Sequence, residues 1–155
     1  MILSKNFALN EFTKSVSAIR NDIDNSPNAE HIRNIQLLVK FVLQPLREAL
    51  RSPIKITSGY RSEALNKLIK GSKRSQHCKG QAADIQFRVD GVMKNKDIWD
   101  KILELKLPFD QMINEFDYCW IHISYNHERN REHLLEAYKE SGKTKYRTPK
   151  IETSL

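Results

Sequence analysis

The chain has 155 residues, 39% of them hydrophobic and 29% charged, with a formal net charge of +7. That length suits a single domain, which buries roughly two-thirds of its unfolded surface, and no apolar run approaches the roughly 20 residues that a bilayer span needs, so membrane insertion is not expected. The positive charge implies attraction to polyanions such as nucleic acid, anionic lipid or phosphate-bearing wall polymers, but the basic residues do not interleave with aromatics as a base-stacking surface would require, so no specific nucleic-acid partner is expected.

The N-terminal segment Met1 to Phe7 lacks the basic stretch, apolar run and small-residue cleavage site of a secretory signal. The chain as synthesised is therefore expected to stay in the cytoplasm. Ser26-Pro27 reads as a helix start, because proline costs little at an early position whose N–H has no intrahelical partner. Ile32, Ile35, Leu38, Val39, Val42, Leu43 and Leu46 then follow a 3.6-residue period. They predict the main core helix over about 28–50, with a kink or early break near Val42, since the Pro45 ring removes a backbone hydrogen bond.

Ile54-Lys55-Ile56-Thr57 alternates and is β-branched, which predicts a short strand ending at the Ser58-Gly59 turn. A short helix is expected from Ser62 to about Ile69, then a polar loop from Gly71 to Gly80 and a strand from Ala82 to Val89. Ile98, Ile102 and Leu105 place a helix over Lys94 to Leu105. Gln111–Glu115 and Cys119–Tyr125 read as the two strands of a hairpin, and the basic stretch from about 139 to 155 reads as a poorly packed tail. Helices mixed with antiparallel strands make the class α+β, one unit over 1–155, and a monomer is expected. Cys78 and Cys119 lack C-x-x-C spacing and read as thiols.

The most informative stretch is Ser75-Gln76-His77-Cys78-Lys79-Gly80-Gln81-Ala82-Ala83-Asp84. It sets an imidazole and a carboxylate seven residues apart across a glycine. Extended chain would separate them by more than roughly 20 Å, so they share an ion only if the loop doubles back, and Gly80 supplies the freedom for that. His122, in the otherwise apolar Trp120-Ile121-His122-Ile123-Ser124, is a polar ring needing a partner and the candidate third ligand. Two imidazoles and a carboxylate suit Zn²⁺ with one open position, although non-haem iron uses the same set. His31, His127 and His133 read as surface residues.

Ser75, His77, Gly80, Ala82 and Asp84 reproduce in register an S-x-H-x-x-G-x-A-x-D signature, and here the sequence resembles the zinc D-Ala-D-Ala carboxypeptidase and dipeptidase group, peptidase family M15. Ser58-Gly59-Tyr60-Arg61-Ser62 resembles its upstream S-G-Y-R-S element, and Trp120-Ile121-His122-Ile123-Ser124 its W-[VI]-H-[VI]-S element. The likeness covers roughly residues 3 to 138 and is closest to the small single-domain branch of phages and bacteria. It implies a small antiparallel sheet with flanking helices and a zinc site at the sheet face, as in the D-Ala-D-Ala carboxypeptidase and hedgehog-like folds.

The resemblance further implies hydrolysis of a peptide bond in peptidoglycan stem peptides, with one Zn²⁺ held by His77, Asp84 and His122. Arg61 stands where the family's arginine holds substrate or the developing oxyanion, and Ser75 where a hydrogen bonder orients the loop or the ligating carboxylate. In several branches an acid stands three positions before the last histidine, where this chain has Cys119. Glu115, at the end of the preceding strand, is the favoured general base and Asp117, in the turn, the alternative. Trp120 and Tyr60 either line the pocket or sit in the core. The competing reading is a catalytically silent zinc module binding a wall fragment or protein partner. A phage-type lysin would reach the wall after release by another protein.

Overall fold

A computed structural model describes residues 1–150. Two short helices, α1 (Asn10–Thr13) and α2 (Val16–Arg20), precede the long helical segment. Asn28, rather than Ser26-Pro27, starts that segment. Its side-chain oxygen accepts the His31 N–H at 2.9 Å, and His31 Nδ1 accepts the Asn28 N–H at 3.2 Å, a reciprocal cap that satisfies two otherwise orphaned donors. His31 is thus half-buried rather than a free surface residue, with its ring 4.7 Å from that of Tyr60.

From the cap, α3 (Ala29–Leu38) runs through a π-helical turn, Val39–Leu43, into α4 (Gln44–Leu50). The wide turn is the form that the expected break near Val42 takes. Pro45 has no N–H to donate, its ring crowds the carbonyl of Phe41 one turn back, and a local π-bulge relieves both problems without ending the helix. Ile35, Leu38, Val39, Val42, Leu43 and Leu46 are all buried along one side of this rod, each contributing about 1.5–3 kcal/mol by leaving water.

The remaining elements are β1 (Ile54–Ser58), α5 (Glu63–Leu68), β2 (Ala82–Val89), β3 (Val92–Met93), α6 (Asn95–Glu104), β4 (Gln111–Glu115), β5 (Trp120–Ser124), β6 (His133–Glu140) and β7 (Lys143–Arg147). Ser62 caps α5 by accepting the Leu65 N–H at 3.2 Å. The expected loop before β2 contains a 3₁₀ turn, Gln76–Lys79. The sheet runs β1-β2-β5-β4-β6-β7, with β3 paired to β2 off this path.

The sheet is mixed rather than antiparallel. β6 lies parallel to β4, in register from Gln111 beside His133 to Glu115 beside Ala137. Asp110 causes this: its carboxylate accepts the Arg131 backbone N–H at 3.0 Å and two guanidinium bonds at 2.9 Å, while its carbonyl accepts the His133 N–H at 2.9 Å. The chain leaving β5 is thereby pinned beside the start of β4 and must run on in the same direction. Residues 139–147, expected to open a basic tail, complete β6 and form β7, all of whose residues are exposed. The last part of that expected tail, 151–155, lies outside the described residues.

Strand alternation divides the sheet into two chemistries. Ala83, Ile85, Phe87, Met112, Ile121 and Ile123 face the helices and form the core with them. The opposite face carries Asp84, Ile113, Glu115, Trp120 and His122. Among the described residues no helix is long and apolar enough to cross a membrane.

Candidate metal centre and cleft

Pairing register assembles the polar face. Asp84 of β2 lies directly opposite His122 of β5, and His122 opposite Ile113 of β4. His77 arrives from the 3₁₀ turn, which Gly80 ends with φ +73°. A Cβ at Gly80 would lie 2.4 Å from the His31 carbonyl oxygen, so a side chain there meets rigid main chain as well as left-handed strain. Gly80→Ala is expected to cost more than about 1 kcal/mol and to weaken zinc binding. Thermal melting with a zinc titration checks this, and an unchanged melt and affinity would refute it.

Two contacts orient the His77 ring. Ser75 Oγ accepts the His77 backbone N–H at 3.3 Å, and Nδ1 lies 2.7 Å from the Gly59 carbonyl oxygen. A carbonyl only accepts, so Nδ1 carries the proton and Nε2 presents a lone pair. Gly59 itself packs closely on Phe12, where a Cβ would lie 2.5 Å from the Phe12 carbonyl oxygen, so the strand end that presents this carbonyl has no room for a side chain.

His77 Nε2 then faces His122 Nδ1 at 3.2 Å and Asp84 Oδ1 at 3.3 Å, and His122 Nδ1 lies 3.1 Å from the same oxygen. A proton on His122 can serve one of these contacts, leaving lone pairs face to face in another. A shared cation resolves the conflict. Tetrahedral zinc with bonds of about 2.0 to 2.1 Å holds its donor atoms about 3.3 Å apart, which is the spacing here, so the residues fit the ion. Among the described residues no fourth His, Cys, Asp or Glu joins the group, and three protein donors are the count of a catalytic rather than a structural zinc site. Cys78, next to His77, stays out of it.

Burial holds the His77 imidazole below its ordinary pKa, against the pull of Asp84, so the ring is neutral and able to ligate. Burial opposes charge on Asp84 too, but the electrostatic pull and hydrogen bonds of the His77 and His122 rings overcome it and keep this carboxyl well below the usual range. Arg61 adds a looser ion pair, Nη2 3.8 Å from Asp84 Oδ2. Its Nη1 donates to Asn66 Oδ1 at 3.3 Å, while Nε is buried without a partner among the described residues. This guanidinium is held in place and has a donor to spare.

A cleft of about 730 Å³ contains His77, Asp84, His122, Arg61, Ser75, Glu115 and Trp120. Glu115 lies opposite Trp120 and is 8% exposed. Burial, then the Asp84 charge, push its pKa up to about 7 despite His122 and Arg61. It is a carboxyl able to exchange a proton near neutrality.

Two expected residues are not brought to the cleft. Tyr60 is buried against His31 and packs in the core. Asp117 is exposed in the turn and lines a depression with Asn114, Glu136 and Arg147, because Phe116, Asp117 and Tyr118 all take positive φ and carry the turn away from the metal donors. Cys119 is exposed in the same turn.

Sequence reading missed Lys70, Arg74, Arg131, Thr144 and Tyr146, which also line the cleft. The only linear signal for the three cations was positive charge, which does not distinguish a cleft rim from any solvated surface, and Thr144 and Tyr146 gave none. A search of curated proteins returns no match. The family model described as Peptidase M15 matches residues 5–124, a span that includes all three metal donors, Arg61 and Glu115. By that match the chain belongs to the peptidase M15 family.

Proposed function

We propose that this protein is a zinc peptidase that hydrolyses a peptide bond in peptidoglycan stem peptides, as a D,D-carboxypeptidase or an endopeptidase. The observation that carries the reading is the triangle of His77 Nε2, His122 Nδ1 and Asp84 Oδ1, with edges of 3.1 to 3.3 Å and the His77 proton committed elsewhere. When bound, zinc supplies Lewis acidity, lowering the pKa of a coordinated water toward about 7 and polarising a substrate carbonyl.

The chain's own residues do the rest. Glu115, ionised, takes a proton from the attacking water at a carboxylate oxygen as the oxygen–carbon bond forms. It returns that proton to the leaving amine nitrogen as the carbon–nitrogen bond breaks. Arg61, with Nε uncommitted and Nη2 beside Asp84, offers positive charge to the developing oxyanion or to a substrate carboxylate. The Gly59 carbonyl holds His77 in its ligating tautomer, and Ser75 fixes the backbone that carries the ring.

Cys119 stands where the family resemblance implies an acid, which is the argument for a silent zinc module. The presence of Glu115 in the cleft, with its pKa near neutrality, supports hydrolysis instead. The cationic rim of Lys70, Arg74 and Arg131 suits an anionic wall, reached after release from the cytoplasm, and the protein acts as a monomer. Mass spectrometry of purified peptidoglycan incubated with zinc-loaded protein, beside a His77→Ala control, tests the reading. New peptide termini from the wild type alone are expected, and their absence across several wall chemistries would overturn it.

A further inference from the structure

The family match ends at residue 124, but the cleft continues past it. Its floor extends from β2, β5 and β4 onto β6 and β7, where Leu135, Thr144 and Tyr146 line the same cavity as the metal donors. Trp120 lies opposite Glu115, Glu115 opposite Ala137, and Ala137 opposite Tyr146, so all four side chains share one face. Glu115 and Tyr146 are two strand spacings, about 10 Å, apart at the backbone.

Between them stands an alanine, 3% exposed, whose methyl leaves room for the tyrosine ring to lean toward Glu115. Tyr146 is 54% exposed, and its hydroxyl has no hydrogen-bond partner among the described residues. Partial burial, then the Glu115 and Asp84 charges, raise its pKa, so the phenol stays protonated and able to donate. From β2 to β7 the floor spans four strand spacings, about 19 Å, enough for about five or six extended residues.

We infer that the β6–β7 hairpin forms a substrate subsite of this cleft, in which the Tyr146 hydroxyl donates to a main-chain carbonyl about two to three residues from the bond that is cut. This rests on the reading of the cleft as a peptidase active site. The substrate is then an extended peptide gripped along its length, and Tyr146 sets which bond lies over the metal donors. It touches substrate away from the reacting atoms, so its loss falls on binding more than on turnover.

A synthetic stem pentapeptide, L-Ala-γ-D-Glu-L-Lys-D-Ala-D-Ala, is the probe. Its binding to zinc-loaded E115Q, E115Q/Y146F and E115Q/Y146A is measured by calorimetry, and its hydrolysis by wild type and Y146F by steady-state kinetics. One hydrogen bond corresponds to a rise of about 3- to 10-fold in Kd for Tyr146→Phe, with a further rise for Tyr146→Ala and KM rising more than kcat falls. Zinc stoichiometry and melting temperature confirm that the variants fold. Equal Kd in all three proteins, or no measurable binding in any, overturns the subsite. Binding that depends on Tyr146 without hydrolysis by the wild type upholds the subsite and overturns the peptidase reading.

Discussion

Replacing Glu115 with Gln is expected to lower hydrolysis by about 10²- to 10⁴-fold, the usual contribution of a positioned general base, while one zinc per chain stays bound. The amide keeps the shape of the side chain and its place opposite Trp120 but cannot take a proton. A stem-peptide kinetic assay with metal analysis of the same sample decides it, and unchanged turnover would remove Glu115 from the mechanism.

The pH dependence follows from the same group. The base works when ionised, so wild-type activity rises with pH through a limb governed by Glu115, whose pKa is about 7 before any metal is added. A bound cation nearby lowers that limb, and Glu115→Gln removes it. In the metal-free protein the folded-state pKa lies above the ordinary 4.5. The associated stability is therefore fully present below pH 4.5 and is lost as pH rises through 7. Metal-free Glu115→Gln should match the wild type near pH 4.5 and exceed it by about 2 kcal/mol at pH 8, less than the full linkage value because one side of the carboxyl meets the water-filled cleft. Paired denaturant titrations at the two pH values measure this.

The other large effect belongs to Asp84. Asp84→Asn keeps the side-chain volume but removes the negative charge between two imidazoles. Zinc affinity should fall by more than the 10- to 100-fold typical of outer-shell partners, since this oxygen is itself a donor, and hydrolysis should fall with it. Calorimetric zinc titration reads the loss, and an unchanged Kd would mean that the ion sits elsewhere. The folded-state pKa of Asp84 lies below its ordinary 3.8, so its stabilisation is present above that pH and lost as pH falls below it. The wild type should therefore lose stability on the acid side where the variant does not.

Local elements were legible where one physical signal dominated. The strand Ala82–Val89 and the hairpin strand Gln111–Glu115 matched their expected bounds, because alternation against a buried face leaves little freedom of register. The long helix declared itself by its 3.6-residue period, and Pro45 marked an irregularity near Val42, expected as a kink or break and found as a π-turn. β6 and β7 gave no such signal. His133–Glu140 is mostly charged or half-buried, and Lys143–Arg147 is exposed throughout, so nothing in their polarity marks them as strands. They are held by pairing to β4 and by the Asp110–Arg131 clamp, 21 residues apart in sequence.

By itself, then, the sequence disclosed the α+β class and, through its likeness to a known family, nominated the candidate metal donors, the arginine and the favoured base, since motifs are written in residue types and their spacing. Tertiary structure decided what depends on contacts between distant segments. Register across β2, β5 and β4 set His122 opposite Asp84 and faced Glu115 into the cleft, while the left-handed turn took Asp117 out of it. The Gly59 carbonyl, 18 residues from His77, chose the ring's tautomer, and the parallel return of β6 carried Tyr146 to the far wall. Chain direction and pairing partner leave no trace in a linear pattern of polarity, because the pleat alternates in the same way whichever strand lies alongside.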